Sequence, residues 1–166
     1  MANRLCEDGT VCYFDSDRWS CLPGGKGFLV MRYGKFDSIL TNCLKTSFRG
    51  GGTDLGLPML YALEEDKSAA IHPFDRILYF SDNECNSGIS RAGGTVQNYV
   101  DRYRKQYNPK FWVHGVDLQG YGSQQFCGEG FNLIAGWSES VLPFILLAER
   151  GIGSLVDTIA AYDIDS

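Results

Sequence analysis

Two loops of the sequence gather side chains that can bind a hard metal cation. Thr53 and Asp54 follow a run of glycines, and Asp82 and Glu84 follow an apolar run. Hydroxyl, carboxylate and water oxygens are the ligands that Mg²⁺ takes in proteins. These two loops are therefore candidates for binding a cation such as Mg²⁺.

Other interpretations of the same residue types stay open at this point. A metal-assisted hydrolase would use Asp54, Asp82 and Glu84 to bind the metal and to move protons. A thiol nucleophile would need a base, and Cys127 with His114 is the candidate pair, although a lone histidine in a strand is more often structural. The plainest alternative is that the glycines turn the chain and Asp54 caps the next helix.

The elements that must position these loops alternate along the chain. Strands are predicted at Thr10–Phe14, Arg18–Leu22, Gly27–Tyr33, Asp75–Phe80, Phe111–Leu118 and Phe131–Ala135. Helices are predicted after Asp37, after Asp54, after Thr95, after Ser140 and at Ser154–Tyr162. The apolar faces of the first and fourth of these helices, which include Leu40 and Leu146, are expected to face the core. The pattern predicts an α/β fold, a three-layer, doubly wound and mostly parallel sheet with helices on both faces. We place Ile77–Phe80 at its centre, because a strand buried on both faces is a continuous apolar run. Ligands of such sheets bind at the carboxyl ends of the strands, where Ser81–Glu84 lies.

Composition bounds the class of protein. The chain has 166 residues, of which 44% are apolar and 21% charged, so we predict a single domain over residues 1–166. Its net charge of −5 argues against strong binding of RNA or DNA by this chain alone. No apolar run suits a membrane span, and the first residues lack the apolar core of a signal peptide. No cysteines are spaced C-x-x-C, as a structural zinc site would need, and without a signal peptide we expect reduced thiols and a cytoplasmic location.

Several segments resemble one family of binding domains. Gly51–Met59 (GGTDLGLPM) and Asp75–Glu84 (DRILYFSDNE) are similar to the second and third metal-site loops of the von Willebrand factor A (vWA) domain of Ro/TROVE-type RNA-binding proteins. Val116–Gly122 and Asn132–Ser138 resemble later strands of bacterial members. The resemblance runs from about Thr10 to Tyr162.

This resemblance implies a doubly wound, vWA-like (Rossmann-like) sheet with a metal-ion-dependent adhesion site at its top. Thr53 matches the threonine of that site and Asp82 matches its aspartate. The Asp-x-Ser-x-Ser loop of the family is absent from the sequence. We therefore expect an N-terminally truncated domain, which lacks the first strand and most of the first helix, and a degenerate site that holds Mg²⁺ weakly.

The resemblance also implies a binding or scaffold module rather than an enzyme. Ro/TROVE-type proteins hold small noncoding RNA in a ring of helical repeats, so we expect RNA to be bound only indirectly. The expected partner is a protein or the ring of the parent ribonucleoprotein, reached through the loop end of the sheet.

Loss of a central strand would leave an unpaired edge on Asp75–Phe80, and such edges recruit other strands. We expect Thr10–Phe14 to close the gap. The alternatives are a strand supplied by a partner chain, which makes this chain a structural subunit, or a homodimer formed by edge-strand pairing.

Overall fold

The computed structural model describes residues 9–14, 28–31, 38, 40–41, 53–65, 70–82, 95–120 and 126–151. The chain divides into two compact units. The first comprises Met1–Pro73 with Glu84–Pro109, and the second comprises Phe74–Asn83 with Lys110–Ser166. Each unit is described by itself below, and the single domain over residues 1–166 stays a prediction.

The first unit contains a two-stranded antiparallel sheet. Strand β1 (Val11–Phe14) pairs with β2 (Phe28–Met31), with Val11 opposite Met31. Both strands are apolar and half-buried. We predicted Arg18–Leu22 as the antiparallel partner of β1, but in the described residues that partner is β2. Residues 18–22 themselves lie outside the described residues.

Short helical segments of the first unit follow the glycine run. Helix α1 (Leu57–Leu60) begins with Pro58 in its first turn, as the sequence predicts, and runs into a π-helical turn at Tyr61–Glu65. Proline is tolerated there because the first amides of a helix have no partner within it. Most of the helix predicted after Asp37 lies outside the described residues. Leu40 was predicted to be buried, but it is 70% exposed.

Helix α2 (Val96–Gln106) in the first unit confirms the clearest helical pattern of the sequence. Its buried residues are Val96, Tyr99, Val100 and Tyr103. Thr95 caps the helix, because its Oγ1 accepts a hydrogen bond of 3.3 Å from the Asn98 amide, which satisfies one of the unpaired amides of the first turn. The hydroxyl of Tyr107 donates to the carbonyl of Leu63 at 3.3 Å, so this end of α2 is bonded to the π-helical turn.

The second unit is built on a parallel sheet of three strands. They are β3 (Arg76–Ser81), β4 (Trp112–Asp117) and β5 (Phe131–Ala135), in the order β3-β4-β5. The register places Leu78, His114 and Asn132 in one row. The sequence placed β3 at the centre, but β4 is the strand that pairs on both sides. It is also the most buried strand, and Phe80 of β3 is 39% exposed.

Helix α3 (Val141–Glu149) covers one face of this sheet. Val141 and Ile145 pack against Val116 of β4 near the carboxyl ends of the strands, whereas Glu149 contacts residues near their amino ends. The helix therefore runs antiparallel to the strands. Leu146 was predicted to be buried with Ile145, but it is 52% exposed.

The opposite face of the sheet is covered by Phe126. Its ring lies 6.1 Å from that of Tyr79 and 5.5 Å from that of Phe131, between ring centroids. A Cβ on Gly115 would stand 2.9 Å from Phe126 Cζ, which is closer than carbon atoms approach without repulsion. Glycine at this position lets the aromatic ring lie flat against the central strand.

The α/β class and the parallel sheet are confirmed, but the predicted layering needs correction. The described strands form two separate sheets rather than one three-layer, doubly wound sheet. Thr10–Phe14 pairs with β2 and not with β3, so the expectation that it closes the sheet beside Asp75–Phe80 is wrong. Pairing with a nearby strand closes a shorter loop and costs less chain entropy. No helix among the described residues has the length and apolar character needed to cross a bilayer.

Candidate functional site at the carboxyl edge of the parallel sheet

The three parallel strands end at one level, which we call the carboxyl edge. The Leu118 amide donates to the Ser81 carbonyl and the Gly136 amide donates to the Asp117 carbonyl, both at 2.8 Å. These bonds continue the ladder one step beyond the strands. The segments that follow β3, β4 and β5 therefore leave the sheet side by side, at the position where sheets of this kind bind ligands.

Two aspartates stand at this edge. Asp82 is half-buried, and its Oδ1 accepts a hydrogen bond of 3.3 Å from the Ser81 hydroxyl. Asp117 is buried, and its Oδ1 accepts from the amides of Gln119 at 3.0 Å and Gly120 at 2.8 Å. Asp117 therefore fixes the turn that follows β4, and Gly120 supports that turn with a φ of 73°.

The predicted metal ligands belong to different units. Thr53 lies in the first unit and Asp82 in the second, and the Mg²⁺ site that would join them stays a prediction. Asp54, a residue of the hydrolase alternative, is buried with its Oδ1 accepting from the Gly56 amide at 2.8 Å. That bond shapes the turn before α1, but the helix is capped by Gly56 without a side-chain hydrogen bond, so Asp54 is not its cap. Glu84 lies outside the described residues. Within the described part of the chain, no group of three acidic, histidine or cysteine residues is arranged to hold a metal ion.

A groove lined by aromatic residues opens at the carboxyl edge beside α3. Its cavity has a volume of about 290 Å³. The lining residues are Ile134, Ala135, Gly136, Trp137, Ser138, Ser140, Val141 and Phe144. Trp137 is 50% exposed and Phe144 38%. The Trp137 ring meets Phe80 edge-on at 5.4 Å between centroids, so Phe80 extends the apolar surface from the groove onto β3. We call these three side chains the aromatic groove.

The connection from β5 to α3 explains why Trp137 is exposed. Gly136 has a φ of 80°, a conformation that favours glycine and turns the chain away from the sheet. Ser138 then holds the start of α3, because its Oγ accepts from the Ser140 amide at 3.3 Å and its carbonyl accepts from the Val141 amide at 3.2 Å. Trp137 lies between the turn at Gly136 and the hydrogen bonds of Ser138.

The amino end of the same sheet carries a buried polar network. His114 is fully buried, and its Nε2 lies 2.9 Å from Glu149 Oε1. Its Nδ1 lies 3.0 Å from Asn132 Nδ2, and the Trp112 ring stacks on it at 5.8 Å between centroids. Arg76 Nε stands 2.8 Å from the same oxygen of Glu149, with the geometry of an ion pair rather than of an aligned hydrogen bond. We call His114, Glu149, Asn132 and Arg76 the polar network.

Burial lowers the pKa of His114 below its usual 6.5, and the nearby Glu149 carboxylate opposes that shift only in part. The imidazole is therefore neutral at pH 7, with Nε2–H donating to Glu149 and Nδ1 accepting from the Asn132 amide. Neither ring nitrogen is left for the thiol of Cys127, which is exposed. The other described cysteine is no better a nucleophile, because burial raises the pKa of Cys12 to about 12.

The sequence reasoning missed both the polar network and the aromatic groove. A usable signal for the network was present, since His114 and Asn132 are polar residues inside two otherwise apolar strands, and a buried polar group needs a partner. Glu149 was harder to find, because it lies 35 residues from His114 along the chain. For the groove the signal was a tryptophan beside a glycine, directly after a strand.

The two ends of the parallel strands in the second unit present different side chains. The carboxyl edge holds exposed aromatic rings and carboxylates, whereas the polar groups of the amino end are bonded to one another. The exposed side chains of the carboxyl edge are therefore the candidates for binding a ligand. Comparison of the chain with protein-family models, with curated proteins and with solved structures gave no match.

Proposed function

We propose that this chain is a non-enzymatic binding module that takes a protein partner at the carboxyl edge of its parallel sheet. The observation that carries the proposal is the aromatic groove. Phe80, Trp137 and Phe144 are each between 38% and 50% exposed. Trp137 and Phe144 line one cavity, and the ring of Phe80 meets that of Trp137 beside it. Exposed apolar surface that is contiguous, rather than scattered, is typical of interaction sites.

The cavity has room for individual side chains of a partner, since its volume is about 290 Å³. Tryptophan and phenylalanine are also side chains that contribute strongly to binding at protein interfaces.

A vWA-like fold of the Ro/TROVE type is part of this proposal. The parallel sheet of three strands, with α3 on one face, supports the α/β class of such a fold. On this proposal the partner is a protein such as the helical-repeat ring of a ribonucleoprotein, and RNA is held by that partner. A degenerate Mg²⁺ site at Thr53 and Asp82 would add little to binding, because it lacks the serine loop of the family.

Selection from a displayed library of random dodecapeptides tests the proposal. We expect peptides enriched on the native chain to lose binding on the Trp137→Ala/Phe144→Ala variant. Leu146→Ala is the matched control, because Leu146 is an exposed apolar residue of the same helix but does not line the cavity. Enriched peptides that bind the native chain and the groove variant equally would exclude the aromatic groove as the binding site.

A further inference from the structure

The basic residues in the described part of the second unit lie at one end of the sheet. They are found at the amino end of the strands, Arg76 at the start of β3, Lys110 before β4 and Arg150 after α3. Asp75, Glu129 and Glu149 lie at the same end, whereas the described residues of the carboxyl edge include Asp82, Asp117 and Glu139 but no basic side chain. Of these three carboxylates, Glu139 is the exposed one and Asp117 is buried.

Glu139 is the carboxylate nearest to the groove along the chain. It is exposed, and it stands between Ser138 and Ser140, which both line the cavity. Next to it, Trp137 exposes half of its indole surface. Tryptophan is the aromatic side chain that attracts cations most strongly, through the negative face of its ring. A carboxylate and an exposed indole side by side form a surface suited to Lys or Arg.

An acidic ligand is disfavoured at the same place. The start of α3 could in principle attract an anion through its free amides. However, the Val141 amide is bonded to the Ser138 carbonyl at 3.2 Å and the Phe144 amide to the Ser140 carbonyl at 3.0 Å. Pro143 has no amide hydrogen to offer. The start of α3 therefore has few free amide hydrogens that could bind an anion and offset its repulsion by the carboxylates.

We propose that the occupant of the aromatic groove is a basic peptide segment of a partner protein, in which Lys or Arg alternates with apolar residues. The inference rests on the proposed function and adds the chemistry of the partner. Apolar side chains of the peptide enter the cavity between Trp137 and Phe144. The cationic side chains lie against the indole and reach Glu139.

Three fluorescein-labelled dodecapeptides test the inference on the full chain by fluorescence anisotropy. They alternate leucine with arginine, with glutamine or with glutamate. We expect the arginine peptide to bind at least about tenfold more tightly than the glutamine peptide, with an advantage that shrinks as salt screens the charges. Trp137→Ala should weaken its binding about tenfold, as the loss of a desolvated cation–π contact implies. Trp137→Phe, which keeps an aromatic face, should retain part of the affinity for the arginine peptide. Circular dichroism verifies that both variants are folded.

Glu139→Gln and Glu129→Gln form a matched pair of charge changes. Both residues are exposed, but Glu129 precedes β5 at the amino end of the sheet. We expect Glu139→Gln to weaken the arginine peptide about threefold and Glu129→Gln to leave it unchanged. Equal effects of the two variants would mean that net charge alone attracts the peptide, and they would overturn the inference.

The other outcomes separate the inference from the proposed function. Equal binding of the arginine and glutamine peptides, tighter binding of the glutamate peptide, or no binding of any of them would overturn the choice of a basic partner. The proposed function would survive if the dodecapeptide library still yields sequences that depend on Trp137. It fails as well if the library yields none.

Discussion

At the amino end of the parallel sheet, Arg76 and His114 both contact Glu149, whereas at the carboxyl edge Phe80, Trp137 and Phe144 remain half-exposed. The amino end buries polar groups and places a charged or hydrogen-bonding group beside them. The carboxyl edge leaves apolar rings in water, where they cost free energy in the isolated chain. Stability accounts for the first arrangement but not for the second, and this difference supports the proposal that the carboxyl edge binds a partner.

Glu149 shows how far the amino end is organised for stability. It lies in the last turn of α3, where a carboxylate faces the negative end of the helix dipole. The position is tolerated because Arg76 and His114 both contact its Oε1. Helix α3 is thereby attached to the sheet at its polar end, while Val141 and Ile145 attach it at the apolar end.

Glu149→Ala should have the largest effect on stability. It would leave Arg76 and His114 without their shared partner, and breaking a buried pair costs about 3–5 kcal/mol. We expect about 2–3 kcal/mol in the free energy of unfolding, because 35% of the Arg76 side chain remains exposed and water compensates in part. Urea denaturation measures the change.

Glu149→Gln provides the control for that measurement. The amide oxygen still accepts from His114 Nε2, whereas the charge that pairs with Arg76 is lost, so the loss of stability should be about half as large. An alanine variant as stable as the native chain would show that the polar network contributes no net stability, and the contrast between the two ends of the sheet would disappear.

A fall in pH should have the next largest effect on stability. Burial holds the pKa of His114 below 6.5 in the folded chain, so at lower pH the unfolded chain binds more protons. The contribution of the neutral His114 to the free energy of unfolding is then complete above about pH 6.5. It is lost as the pH falls, by up to about 1.4 kcal/mol per pH unit. Urea denaturation of the native chain and of His114→Gln at pH 7.5 and pH 5.0 isolates the contribution of His114. That contribution is ruled out if both chains lose the same stability between the two pH values.

Asn132→Asp should change the His114 titration in a predictable direction. The native Asn132 amide donates to Nδ1, an arrangement available only to the neutral ring. A carboxylate there would accept from a protonated Nδ1 and favour the charged imidazole. Nuclear magnetic resonance titration should therefore show a pKa of His114 above that of the native chain. An unchanged or lower pKa would mean that burial outweighs the added charge.

Much of the fold of the second unit follows from its sequence. The apolar runs at Asp75–Phe80, Phe111–Leu118 and Phe131–Ala135 predict all three parallel strands to within a residue or two. Their order in the sheet was harder to predict, because β3 is as apolar as a central strand. His114 and Gly115 made β4 look weaker, yet the histidine has its partners around it and the glycine admits Phe126.

The candidate site was only half predictable. The rule that ligands bind at the carboxyl ends of parallel strands predicted Asp82 at the carboxyl edge, where the aromatic groove also opens. The residues that form the groove come from β3, from the turn after β5 and from α3, and only tertiary packing brings them together. Local pattern also predicted Leu146 to be buried, because it cannot show which apolar residues of a short helix face the sheet.

Trp137→Ala should have the smallest effect on folding of all these changes. The variant loses the edge-on contact with Phe80, and aromatic pairs contribute about 0.5–1.5 kcal/mol. Because half of the indole is already in water, we expect a loss below about 1 kcal/mol in the same urea titration. Binding of the arginine peptide should fall about tenfold in this variant. If Trp137→Ala instead destabilises the chain as much as Glu149→Ala, the tryptophan belongs to the core and both ends of the sheet serve stability alone.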